Sequence, residues 1–359
     1  MKKKLALILA AVMMVAAFAG CSSSDNKTND SQQSGQTQED GNAEGETGDQ
    51  KTIGLCQINS TNTYYVDASR AFHEAADAYG YKLDEQFAEN SIENEISIIE
   101  NFIELGYDMI IADPQDAEAL EDVFQKGKDA GIIMVSLRSP MENADYNCLI
   151  DHYDGFLGAC YATFEAMGGE GNVLLMQGQI GHEASDSRTK AFYDAVADYP
   201  NITLLDTQPC DWDPNKAVDV INSWLVQYED IDAILCETDG ATPAVVNAVV
   251  NAGRIDDIKI TGNDGEMECL EYIVDGKVLA EAFFSSLRDG YHCMTYADAI
   301  LRGKEVPTTV YLPLYVACDT EVQELVKTNV TNHEFNLCTA EEAIAKCSDY
   351  MNEFTGMYD

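Results

Sequence analysis

Carboxylates are the most plentiful reactive groups in this sequence, with 63 Asp and Glu among 359 residues. Three of them, Asp186, Asp239 and Asp264, stand in short polar stretches that follow apolar runs. Any two held on either side of a glycosidic bond would form the acid–base or acid–nucleophile pair that hydrolyses it. No nucleophile motif accompanies them. "GHEAS" (181–185) lacks the second His of HExxH, which excludes a zinc-protease helix. "GGEGN" (168–172) lacks the Lys-Ser/Thr of a phosphate-binding loop and precedes a strand, so it reads as a turn. The 11 cysteines show no CxxC pair and no Cys/His metal spacing. Several, such as Cys56 and Cys236, lie inside apolar runs, where a free thiol behaves as a small hydrophobe, and mostly free thiols are expected. Neither a metal nor a cofactor is implied. What remains is a recognition surface: in "NSTNTYY" (59–65) small polar residues lead into Tyr64 and Tyr65, either ordinary core or a flat surface for a ligand.

Apolar strand-like runs, "TIGLCQI", "DMIIAD", "GIIMVSL", "NVLLMQ", "DAILCE" and "IKITGN", punctuate the chain. Between them lie amphipathic stretches such as Tyr65, Ala68, Phe72, Ala75, Ala76 and Tyr79, at helical spacing. Near-continuous apolar strands separated by helices predict an α/β fold with parallel sheets covered on both faces. The pattern also repeats. "AFHEAADAYG" (71–80) is echoed by "AFYDAVADYP" (191–200), and the segment from Tyr107 to Ile132 by that from Ile231 to Ile255. Two similar doubly wound lobes follow, the second beginning at Asp151. Ligands of such sheets bind beyond the carboxyl ends of the strands. Lobes facing one another through those ends would line a cleft with "NSTNTYY" and "QIGHEASD".

At the N-terminus, Lys2, Lys3 and Lys4 precede an apolar run from Leu5 to Ala19, and "FAGC" ends at Cys21. A basic segment, a short apolar core and small residues before a cut site describe a secretory signal over 1–20. The cysteine placed at the cut resembles a bacterial lipobox, with Phe18 where Leu is usual. Residues 22–51 carry no large apolar side chain and cannot bury enough surface to fold. They form a tether with a reach of roughly 30 Å for about 30 residues. The formal charge of −42 makes nucleic acid and anionic headgroups poor partners.

From Thr52 to Asp319 the chain resembles type I periplasmic-type substrate-binding proteins of ABC importers, in the ribose/galactose-binding group. The motifs are "INSTNTYY" after the first strand, "VSLR" after the fourth, "IDHYDG" at the lobe crossing, "QPCDWD", "ETDG" and "TGNDG". The resemblance implies three crossings between lobes, near Asp151, near Phe284 to Arg288 and near Tyr311 to Tyr315. It thus implies an N-terminal lobe of 52–150 plus 285–312 and a C-terminal lobe of 151–284 plus 313–359. It also implies the ligand contacts. Tyr64, Tyr65 and Trp212 match aromatic positions that sandwich a sugar ring, Asn62 an amide, Arg138 a two-oxygen grip and Asp264 a carboxylate that accepts from two hydroxyls. Asn62 could instead cap the following helix, and Tyr65 lies on that helix's apolar stripe. His152 could reach the ligand or stand on the rim beside a capping Asp151.

Departures from the family pattern are Leu137 before Arg138, Asp186 where a gripping arginine is common (Arg188 lies nearby), Thr238 for an asparagine, and Phe284 for a glutamine. They suggest fewer hydrogen-bonding groups and a ligand with fewer hydroxyls or a flat or cationic part. The implied function is a monomeric extracytoplasmic lipoprotein, anchored through Cys21 on a Gram-positive-type cell. It would close on a sugar-like ligand and pass it to an ABC permease. A sensor presenting ligand to a receptor kinase is the alternative; an exported hydrolase is a third reading. A repressor of this fold would need DNA-binding helices where the signal and tether stand.

Overall fold

The computed structural model describes residues 50–359, so the signal, Cys21 and nearly all of the tether lie outside the described residues. The chain begins with β1 (Thr52–Gln57), α1 (Thr63–Tyr79), β2 (Lys82–Phe87), α2 (Ile92–Leu105), β3 (Met109–Ala112), α3 (Ala117–Asp129), β4 (Ile133–Arg138) and β5 (Tyr146–Leu149). The second half repeats the series: α4 (His152–Ala166), β6 (Glu170–Gln177), α5 (Glu183–Asp198), β7 (Asn201–Pro209), α6 (Pro214–Gln227), β8 (Ala233–Cys236), α7 (Thr242–Asn251), β9 (Lys259–Asp264), α8 (Met267–Val274) and β10 (Ala280–Phe283). Then follow α9 (Ser286–Leu301), β11 (Thr309–Tyr311), β12 (Tyr315–Cys318), α10 (Thr320–Asn329), β13 (Leu337–Cys338), α11 (Ala340–Ser348) and α12 (Tyr350–Phe354).

One sheet runs β11-β5-β4-β3-β1-β2 and the other β13-β12-β10-β9-β8-β6-β7. Within them, β2-β1-β3-β4-β5 and β7-β6-β8-β9-β10 are the same doubly wound order, and these pairs are parallel. This is the structural counterpart of the sequence repeat. The apolar runs become strands because both of their faces are covered: β3 and β8 are buried at every residue. β12 pairs antiparallel with β10 because the chain reaches it from the other lobe through a short link.

The chain passes between sheets before α4, between β10 and α9, and between β11 and β12. The tail corrects the expectation that 313–359 stays in the second lobe. β12, α10 and β13 belong there, and α11 packs on α8. From Tyr350 onward, however, the chain lies on the first lobe. Tyr350 and Phe354 join its core, and the Tyr358 ring meets those of His292 and Tyr296 at 5.9 and 5.3 Å. The physical cause is α9, which is buried along nearly its whole length and needs a cover for the face that α1 leaves open. Arg288, fully buried on α9, donates to both oxygens of Glu353 at 2.8 Å and fixes the tail there.

Candidate ligand-binding cleft

Strand ends from both lobes meet at one narrow cavity. Its lining residues are all nearly inaccessible to water, so the lobes are closed over it. Asn62 Nδ2 donates to the carbonyl of Trp212 across the cleft at 3.3 Å and helps hold the closure.

The first-lobe wall is built from α1 and β4. Asn62 is the N-cap of α1, its side-chain oxygen accepting from the Tyr64 N–H at 2.9 Å. Capping and lobe bridging therefore occupy the amide that the sequence offered as either cap or contact. Tyr64 and Tyr65 occupy the first turn of α1, where they belong both to the core and to the cavity lining. Arg138 ends β4 with φ of 65°, a conformation that costs a non-glycine residue about 1–3 kcal/mol. Its guanidinium donates to Asp289 at 2.7 Å, Asp113 at 2.6 Å and Gln57 at 3.1 Å. It also lies 4.9 and 5.2 Å from the ring centroids of Tyr64 and Tyr65. The arginine thus fixes the two aromatic rings, and the surrounding carboxylates offset its buried charge.

The opposite wall centres on Arg188, from the inward face of α5. It donates to the Glu237 carbonyl at 2.5 Å and to His152 Nδ1 at 2.9 Å, and pairs with Asp264 at 3.3 Å. Asp264 ends β9 in the position that Arg138 holds in the first repeat, and it too has positive φ, 120°. Its oxygens accept from the Thr238 hydroxyl, the Asp239 N–H and the Asn263 amide at 2.9–3.0 Å. With Arg188 as a further partner, the carboxylate is engaged by its own protein as a structural hub, an arrangement unlike that of a free acid or nucleophile. Trp212, with φ of 59°, lays its ring on Gly178, where a Cβ would fall 1.9 Å from Cη2. Only glycine permits that close approach.

Two histidines complete the wall. His182 is the N-cap of α5, its Nδ1 accepting from the Ala184 N–H at 3.2 Å. Burial, then the charge of Arg188, pushes His182 down to about 4 and His152 well below its usual range, so both are neutral. Since each Nδ1 accepts, each proton sits on Nε2. Five buried polar atoms of lining residues have no hydrogen-bond partner among the described residues: Nε2 of His152 and of His182, Nε of Arg188, Nε1 of Trp212 and Oδ1 of Asp113. Four are donors and one is an acceptor. Buried groups of this kind cost about 1–3 kcal/mol each unless something bonds to them.

Of the residues singled out in the sequence, Asn62, Tyr64, Tyr65, Arg138, Trp212, Thr238 and Asp264 line the cavity. Asp186 does not: it is exposed, and its side chain accepts from the Gly181 N–H. Helical phase turns Arg188 inward in its place. Phe284 is buried behind the lining, with its ring 6.2 Å from those of Tyr64 and His152 and 5.7 Å from the Arg188 guanidinium. Leu137 belongs to the first-lobe core. Sequence reasoning missed Asp113, His182 and Asp289; it left His152 open between ligand and rim, and the structure places it in the lining, with Asp151 capping α4. Asp113 carried a signal, as the polar residue closing the run "DMIIAD" just as Asp264 closes its own strand.

A family described as "Periplasmic binding protein domain" matches residues 53–305. Among curated proteins, the chain is similar to the xylitol-binding protein of Mycolicibacterium smegmatis, 25% identical over 271 residues, covering 75% of this chain and 76% of that protein. It is also similar to the ribose import binding protein of Bacillus subtilis, 26% identical over 265 residues, covering 73% and 86%. Among solved structures, an ABC transporter periplasmic solute-binding protein from Actinobacillus succinogenes with bound D-allose aligns with a TM-score of 0.71. That pair is 24% identical over 77% of this chain and 100% of the other. A solute-binding protein from Bacillus halodurans with bound myo-inositol gives 0.70 at 23% identity, covering 77% and 96%.

Proposed function

Because the chain belongs to the periplasmic binding protein family, whose curated relatives are binding proteins and not enzymes, we propose that it captures one neutral polyhydroxylated ligand, a monosaccharide or polyol, by lobe closure. The observation that carries this reading is the set of unpaired donors around one closed cavity: Arg188 Nε, Trp212 Nε1 and the two imidazole Nε2 atoms. Hydroxyl and ring oxygens accept from such groups, while the Asp113 oxygen accepts from a hydroxyl. Tyr64, Tyr65 and Trp212 supply flat apolar surface for the C–H face of a ring. Neutral imidazoles and protein-paired arginines leave no carboxylate free for a cationic ligand beyond Asp113. The departures noted in the sequence therefore do not impoverish the site, since His152, His182 and Arg188 restore its hydrogen-bonding groups.

Ligand binding selects the closed state by its higher affinity for it. The lipobox supports anchoring through Cys21 at the outer face of the cell membrane, and the binding-protein relatives support delivery to an ABC permease. A thermal-shift screen of pentoses, hexoses, linear polyols and cyclitols, with nucleosides and amino acids alongside, tests the ligand class. Ligand at 100 Kd should add about 2.7 kcal/mol of stability. The reading predicts a rise in Tm within the sugar and polyol group. A rise only with amino acids or nucleosides would overturn it.

A further inference from the structure

Behind the ligand cavity, the second lobe gathers acidic groups that sugar recognition does not use. Asp239 comes from the loop after β8, Cys269 from the first turn of α8 and Glu281 from β10. One donor atom of each lies within 4.8 Å of the others, and all three residues are buried, Glu281 completely. Asp239 Oδ2 accepts from the N–H groups of Gly265 at 3.0 Å and Glu266 at 2.8 Å. Its Oδ1, and both oxygens of Glu281, have no hydrogen-bond partner among the described residues. Arg188 is committed to Asp264 and does not neutralise this pair. The strand between them has made room: Gly262 sits opposite Glu281 in the β9–β10 register. A Cβ there would lie 2.0 Å from Glu281 Oε1 and 2.7 Å from Asp239 Oδ1.

An unpaired carboxylate in such a place costs several kcal/mol, so the convergence of two with a thiol calls for a cation. We propose that Asp239, Cys269 and Glu281 bind one divalent transition-metal ion, Zn²⁺ by the donor set. Carboxylate oxygen and thiolate sulfur together are ligands that Zn²⁺ accepts, whereas Mg²⁺ and Ca²⁺ favour oxygen alone. Asp239 and Cys269 also border a second cavity lined by Asp67, Glu266 and Glu268, an acidic entry path. Binding would release the thiol proton of Cys269 to solvent. It would tie β10 and α8 to the Thr238–Asp239 loop, and so steady Asp264.

The rival occupant is a single proton shared between Asp239 and Glu281. Full chain stripped with a chelator and titrated with ZnSO4 by calorimetry in two buffers of different ionisation enthalpy separates them. The proposal predicts about one Zn²⁺ per chain, proton release, and a Tm that rises with Zn²⁺ and falls again with chelator. Glu281→Gln and Cys269→Ser, checked for unchanged far-UV circular dichroism, should each weaken Zn²⁺ binding at least ~10-fold. The wild-type titration stands even if a variant fails to fold. No stoichiometric uptake by the wild type, or equal affinity in both folded variants, would overturn the proposal in favour of the shared proton or of Zn²⁺ held elsewhere.

Discussion

At the scale of single residues, the cleft is a set of buried groups whose roles are fixed by what each already bonds to. Arg138 and Asp264 are held by their own lobes, while Trp212 and the two histidines retain a free donor each. Trp212→Phe keeps much of the apolar ring and removes the Nε1 donor. It should weaken ligand binding by about 1–3 kcal/mol, measured by calorimetry, with the stoichiometry unchanged. Protonation of His182 would set a second N–H against the Ala184 N–H it now faces. Because its pKa is pushed down to about 4, the loss of affinity that His182 itself causes should appear only as the pH approaches that value. A loss between pH 7.5 and 6, where burial places Glu237 at about 7, would contradict the neutral imidazole only if His182→Gln abolished it. The polar residues that end apolar strands were legible in the sequence, since strand ends are visible in it. The choice between Asp186 and Arg188 was not, because it depends on which face of α5 is turned inward.

At the scale of elements, repeated strand-helix units place each wall, and buried charge couples some of them to pH. Glu95 on α2 is almost inaccessible and accepts from the backbone and side-chain N–H groups of Gln115, beside α3. Burial is the main cause that raises it to about 8, above the ordinary range near 4.5, and the Gln115 bonds only partly oppose it. With the folded value raised, the folded state holds a proton that the unfolded state has lost. Glu95 therefore contributes stability that is fully present below about pH 4.5 and is lost as the pH rises through about 8. Denaturant unfolding of Glu95→Gln should show a shallower decline between pH 5 and 8 than the wild type; parallel profiles would contradict this assignment. The sheets were legible because covered parallel strands read as continuous apolar runs. A buried Glu on an otherwise amphipathic helix carries no such mark.

At the scale of the molecule, the lobes are joined by the crossings near residues 151, 284 and 312 and by the tail, which packs α11 on the second lobe and α12 on the first. Arg288 binds the Phe284 and Pro313 carbonyls, one in each of two crossings, as well as Glu353. Glu353→Gln would leave a fully buried guanidinium short of a charged partner. It should lower stability by about 1.5–3 kcal/mol in denaturant unfolding, which an unchanged midpoint would contradict. The amphipathic pattern of "TAEEAIAKCSDYMNEF" showed that the tail is helical, but not which lobe its aromatics cover, since α9's open face arises only once the chain has folded. The central claim is that closure of these lobes buries one sugar-like ligand among the unpaired donors. Calorimetry of the ligand giving the largest thermal shift, on wild type and on Trp212→Ala with a matched melting temperature, tests it most directly. The account predicts one ligand per chain and affinity weakened at least ~10-fold by the substitution, about 1.4 kcal/mol. Undiminished affinity in the folded variant would place the ligand elsewhere and contradict the account.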